Sequence, residues 1–169
     1  MTTPIKIPEF GIKRENEERR DGGCGVIFDP QTQKYAVGRR ENGLFILYGG
    51  GVDPSEDIKD GVTREVTEES GLFDFLHIEK IEEVICHYHH NYKHLNRIAH
   101  ATCFLFVLKS GDLVPTKHEA HENFTLDWST PAEMLANWEA RNQEKNYDHW
   151  IYFLKKSVTR LKELGYVKN

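Results

Sequence analysis

The segment GGGVDPSEDIKDGVTREVTEESGL, Gly49 to Leu72, constrains this chain more than any other. Three glycines precede a run in which Glu56, Glu65, Glu68 and Glu69 crowd together with only Arg64 close by. Asp53, Pro54, Ser55 and Glu56 form a helix-start signal: Asp53 can cap, Pro54 suits the first helical position, and Glu56 falls where a capping box places its acid. The pattern predicts a helix from about Pro54 to Ser70. Ile58, Val62 and Val66 recur every fourth residue as its buried stripe, and Gly71 supplies the left-handed residue that commonly ends a helix.

On that helix Glu65, Glu68 and Glu69 stand at i, i+3 and i+4, so their carboxylates project from one face within a single turn. Like charges at this spacing repel by a few tenths of a kcal/mol per pair on an exposed helix. An arbitrary acidic triplet is usually a solvated face. Here glycine lets a ligand approach the main chain beside the acids, and clustered carboxylate oxygens suit a hard divalent cation such as Mg2+ or Mn2+. A bound cation would offset the repulsion and keep coordination sites that a phosphate can take.

The rest of the chain supplies a frame for this segment. CGVIFD (Cys24 to Asp29) and KYAVGRR (Lys34 to Arg40) read as a hairpin, and LFILY (Leu44 to Tyr48) as a third strand running into the glycines. IEKIEEVICHYHH and RIAHATCFLFVLK form a longer antiparallel pair, FTLDW (Phe124 to Trp128) a short strand, and Thr130–Pro131 opens another helix. A final amphipathic helix carries Trp150, Phe153, Leu154, Val158, Leu161 and Leu164, a face suited to the core or to a homodimer partner. Strands and helices without strict alternation imply an α+β fold. Residues 1–20, polar with Pro4, Pro8 and Gly11, read as an extended arm ahead of a single domain at 21–169.

Bulk properties exclude several classes. No apolar run approaches the roughly 18 residues needed to cross a bilayer, and the net charge of −5 opposes broad attraction to duplex nucleic acid. The N-terminus lacks the basic start and apolar block of a secretory signal, so a cytoplasmic location is expected. Three cysteines, Cys24, Cys86 and Cys103, at wide spacing read as small buried hydrophobes rather than as a disulfide or zinc framework.

The order Gly50, five residues, Glu56, seven residues, Arg64, Glu65, Val66, one residue, Glu68, Glu69, one residue, Gly71 and Leu72 resembles the complete Nudix box. The strands around it and the DWSTPAEML segment also resemble that domain's layout, from about residue 20 to 140. The resemblance implies an α/β/α sandwich with a mixed sheet between helices, and a Mg2+- or Mn2+-dependent hydrolase cleaving the diphosphate linkage of a nucleoside diphosphate derivative. It implies Glu68 and Glu69 as the main metal ligands, Glu65 as a further ligand or the base, and a carbonyl of the Gly49–Gly51 turn, Gly50 in particular, as an extra ligand. Arg64 would orient the acids, and Glu56 would support Arg64.

Relatives often place another glutamate on a later loop; Glu122 is favoured over Glu119. Arg39 and Arg40 are candidates for substrate phosphates, and a tyrosine at position 88 points slightly away from ADP-ribose and toward dinucleoside polyphosphates. Tyr48 stands where similar proteins often have proline. Two other readings are a Nudix-fold isoprenoid diphosphate isomerase, which needs a catalytic cysteine such as Cys86 or Cys103, and a nucleotide-sensing module without catalysis. A zinc site at His87 and His89 lacks a third ligand in the sequence, and the histidines of this strand suit a nucleotide pocket better.

Overall fold

The computed structural model describes residues 2–120 and 122–168. The elements run β1 (Glu9–Phe10), β2 (Glu18–Arg19), β3 (Gly22–Asp29), β4 (Lys34–Arg40), β5 (Phe45–Ile46), β6 (Tyr48–Gly51), α1 (Ile58–Ser70), β7 (Phe75–His90), β8 (Leu95–Leu108), β9 (Phe124–Ser129), α2 (Pro131–Glu139) and α3 (Asp148–Glu163). The strands form one mixed sheet in the order β1-β7-β8-β3-β4-β5, with β2 on β8, β6 on β3 and β9 on β4.

The β7–β8 hairpin pairs antiparallel along almost its whole length, and β3 lies parallel to β8 from Gly22↔Ala101 to Phe28↔Val107. β3 and the inner half of β8 are apolar and almost fully buried, as strands covered on both faces must be. α1 packs on one face: side chains at Gly23 and Gly25 would strike Val62 and Val66, so glycine there lets the helix approach the sheet closely. On the opposite face, Val158 of α3 packs against the buried core that includes Phe28 and Tyr35. The result is a sheet between helices, as expected. No helix of the described residues is long and apolar enough to cross a membrane.

Three details depart from the sequence reading. α1 begins at Ile58 under an Asp57 cap whose side chain accepts from the Asp60 N–H. Asp53 instead closes a tight turn, accepting from the Ser55 N–H at 2.9 Å and the Ser55 hydroxyl at 2.6 Å. Such local side-chain bonds compete with helix formation and delay its start. The expected third strand breaks at Leu47, and the glycines themselves form β6, paired antiparallel with β3 from Gly22↔Gly51 to Gly25↔Tyr48. β7 begins at Phe75, earlier than its apolar pattern suggested, passing register shifts near Phe75 and Lys80. Within the expected arm, β1 joins β7 and β2 joins β8, both parallel.

Cys24, Cys86 and Cys103 are all buried and unbridged. Tyr48, in place of proline, is fully buried and donates its hydroxyl to the Val37 carbonyl at 3.0 Å, tying β6 to β4. The Trp138 indole N–H donates to the Phe45 carbonyl at 2.8 Å, and so α2 holds the strand that leads into the glycine turn.

Candidate active site

The glycine turn and α1 meet at one hydrogen bond: the Gly49 N–H donates to Glu69 Oε2 at 3.2 Å. Gly49 sits at φ 154°, and a side chain there would run into the backbone of Gly23 and Cys24. Gly50 faces the Glu65 carboxyl, with room of 3.6 Å between an added Cβ and its nearest oxygen. The strand-then-helix order therefore brings open main chain to the acidic face of α1.

Arg64 organises the other side of that face. Its guanidinium meets Glu56 at 3.0 Å, Glu65 at 3.2 Å and Glu68 at 3.3 Å. Glu56, displaced from its expected capping position, thus braces Arg64 from the turn before α1, and Glu68 is turned toward Arg64 rather than toward Glu69.

Glu122 arrives from the loop before β9. That loop is laid along the end of α1, where the Lys117 N–H donates to the Glu68 carbonyl at 2.7 Å and the His118 ring meets the Glu69 carbonyl at 2.7 Å. These bonds satisfy carbonyls that a helix end leaves open. The Glu122 carboxyl accepts from the Glu119 N–H at 2.8 Å and hydrogen-bonds the Glu69 carboxyl. Burial, then Glu122, pushes the Glu69 carboxyl up to about 10. Glu65 is also raised, by burial first, with Glu68 and Glu122 adding to it and Arg64 opposing.

Glu65, Glu69 and Glu122 therefore share one electrostatic neighbourhood. Carboxyls packed this closely must either hold a proton between them or meet a cation. An oxygen-only donor set beside open backbone fits a hard divalent ion. Among the described residues no three acidic, imidazole or thiolate groups form a ready-made ligand cluster, and Glu68 is held by Arg64. The histidine strand forms no such cluster either. Both His87 ring nitrogens meet arm carboxylates, Glu9 at 2.6 Å and Glu17 at 2.7 Å, and His89 Nδ1 meets Asn96 at 2.9 Å.

A cavity of about 870 Å³ opens from these carboxylates along the sheet toward the start of α3. Arg40 lines it; Arg39 does not, and pairs instead with Asp127 at 3.3 Å. At the far end Tyr88, Tyr147, His149 and Trp150 form an aromatic wall, with Tyr88 and His149 stacked at 6.3 Å between ring centres. Burial pushes the His149 imidazole down to about 4, so this ring is neutral. Cys86 also borders the cavity, but burial pushes its thiol up to about 12. Reading the sequence missed Arg20, Arg97 and His149 as lining residues, because nothing local marks them; each reaches the cavity through strand pairing or helix docking.

No curated protein matches the chain. The fold is similar to that of a MutT protein from Methanosarcina mazei (18% identity, 88% of this chain and 99% of that one, TM-score 0.60). It is also similar to the NUDIX domain of Shewanella oneidensis NrtR in complex with ADP ribose (17%, 88% and 90%, TM-score 0.60). A third similar structure is a C. elegans Ap4A hydrolase binary complex (17%, 85% and 98%, TM-score 0.57). The family model of the NUDIX domain matches residues 18–151, a stretch that takes in the glycine turn, α1, the Glu122 loop and the aromatic wall, and the chain belongs to this family.

Proposed function

We propose that the protein is a divalent-cation-dependent hydrolase, using Mg2+ or Mn2+, that cleaves the diphosphate linkage of a nucleoside diphosphate derivative in the cytoplasm. The observation that carries this reading is the meeting of the buried Glu69 carboxyl with the half-buried Glu122 carboxyl beside the Gly49 N–H, with Glu65 adjoining and Arg64 bracing the helix face. Glu69 and Glu122 would hold the cation, joined by Glu68 once it leaves Arg64 and by a carbonyl of the glycine turn, with Glu65 left as the base. The cation supplies charge neutralisation on the phosphoryl oxygens and lowers the pKa of water.

The remaining steps belong to the chain. Water attacks phosphorus, the bond from phosphorus to the bridging oxygen breaks, and a carboxylate of the cluster takes the proton. Glu65 suits this task because its carboxyl faces the open main chain at Gly50 and is held in place by Arg64. Arg64 keeps Glu65 and Glu68 on one side of α1 by fixed hydrogen bonds. The wall of Tyr88, Tyr147 and Trp150 offers flat faces for a base, and neutral His149 adds one without charge. Arg40, held over the Phe124 ring at 5.7 Å, is the better placed of the two expected phosphate-binding arginines.

Dinucleoside polyphosphates, the class named for the similar Ap4A hydrolase, and nucleoside triphosphates are the first substrates to try. The test is a panel of these together with nucleotide sugars and ADP-ribose, with Mg2+ or Mn2+, and products identified by chromatography. Release of a nucleoside monophosphate or diphosphate that stops on chelation is expected; inertness toward every member would refute the reading.

A further inference from the structure

Two arginines in the cavity lining have no task in the proposed reaction. Arg97 of β8 stands opposite Tyr88 of β7 and is 5% exposed. Its counter-charge is Glu18 of β2, an exposed arm residue whose carboxylate lies 3.0 Å from Nη1. That approach is close but misaligned, and neither Nη1 nor Nε has a hydrogen-bond partner among the described residues. Buried guanidinium groups are ordinarily paired and fully bonded, so this one is under-satisfied.

Arg20 follows β2 and is exposed. Its guanidinium lies against Gly51, where any side chain would collide with it. Among the described residues that guanidinium forms no hydrogen bond or ion pair, although the Asp53 carboxylate feels its charge. Both cations also act on the Tyr88 hydroxyl, opposing the upward push of its burial. One strand, β6, thus has Glu69 bound at Gly49 and a guanidinium resting on Gly51. The positive pole lies on the side of the turn away from the carboxylates.

We infer that Arg20 and Arg97 form an anion subsite that takes a phosphate group of the ligand within the same cavity as the carboxylate cluster. A guanidinium pair flanking a phenol offers forked donors to phosphate oxygens. The inference rests on the proposed function only for taking the cavity as the substrate site; it needs no metal and no turnover.

The test is titration calorimetry of the whole protein with inorganic tripolyphosphate in excess EDTA. Binding by the unmodified protein is expected, weakened by about tenfold or more in Arg20→Gln and in Arg97→Gln, as loss of a charge-assisted hydrogen bond predicts. Arg39→Gln, outside the cavity, should bind as the unmodified protein does. Arg20 is exposed, so its variant keeps the fold even if Arg97→Gln does not. No binding in EDTA, or binding equal in the unmodified protein and Arg20→Gln, overturns the subsite. Failure of the hydrolase reading looks different: arginine-dependent binding persists while no nucleotide is cleaved.

Discussion

The carboxyl groups of Glu69 and Glu122 meet in a hydrogen bond, the first from α1 and the second from the loop before β9. Neither residue is near the other in sequence. The contact exists because the Lys117 and His118 bonds to α1 carbonyls lay that loop along the helix end. Without a cation the pair has to keep a proton between its oxygens.

Replacing Glu69 by glutamine should remove turnover by more than about 100-fold, as loss of a ligand exceeds the loss of its supporting partners. In chelated buffer the same variant should melt at the temperature of the unmodified protein or above, because an amide carries no charge to desolvate. Mg2+ at about 100 times its Kd adds about 2.7 kcal/mol to the unmodified protein. For a chain of this size that is roughly a 5–10 °C rise in Tm, and a smaller rise is expected in the variant. Scanning calorimetry with and without Mg2+ checks both statements.

Arg64→Lys keeps the charge but loses the fork that reaches Glu56, Glu65 and Glu68 together. A fall in kcat of about 10–100-fold with little change in KM is the expected result. Steady-state kinetics on the substrate found by the panel decide it; an unchanged kcat would mean that the acids orient themselves.

Gly49→Ala places a methyl group into the backbone of Gly23 and Cys24 at a φ that side chains rarely adopt. Separation of β6 from β3 and loss of the Gly49 N–H bond to Glu69 should follow. A destabilisation of about 1–3 kcal/mol in urea, with activity falling further than stability explains, is expected.

His87 predicts a pH dependence in the arm. Burial lowers its proton affinity, but hydrogen bonds to Glu9 and Glu17 more than offset this and leave it raised. A raised imidazole stabilises the docked arm fully below its unfolded value of about 6.5, and this contribution is lost as pH climbs through the folded value. Amide exchange of residues 9–19, corrected for intrinsic rates, should therefore accelerate as pH rises above about 6.5. In His87→Gln the protection should be low at every pH; a flat profile in the unmodified protein would contradict the ion-pair account.

Much of the architecture could be read directly from the residues. The buried stripe of Ile58, Val62 and Val66, the left-handed Gly71 and the long apolar strands are local patterns, and local patterns determine which elements form. The spacing of Glu65, Glu68 and Glu69 likewise follows from helix geometry alone. The helix start was misread because the Asp53 side chain closes on Ser55 within its own turn, leaving Asp57 to cap, and two plausible caps four residues apart look alike in one dimension.

What the sequence by itself determined is the set of acids on one helix face beside three glycines. Only the tertiary structure decided how they divide: Glu68 toward Arg64, Glu69 toward Glu122, Glu65 between them. The same holds for Arg20 and Arg97, which share a cavity because β2 pairs with β8 and β6 pairs with β3. Helix periodicity is set within a few residues, whereas a shared buried charge or cavity wall depends on which distant segments the sheet brings into register.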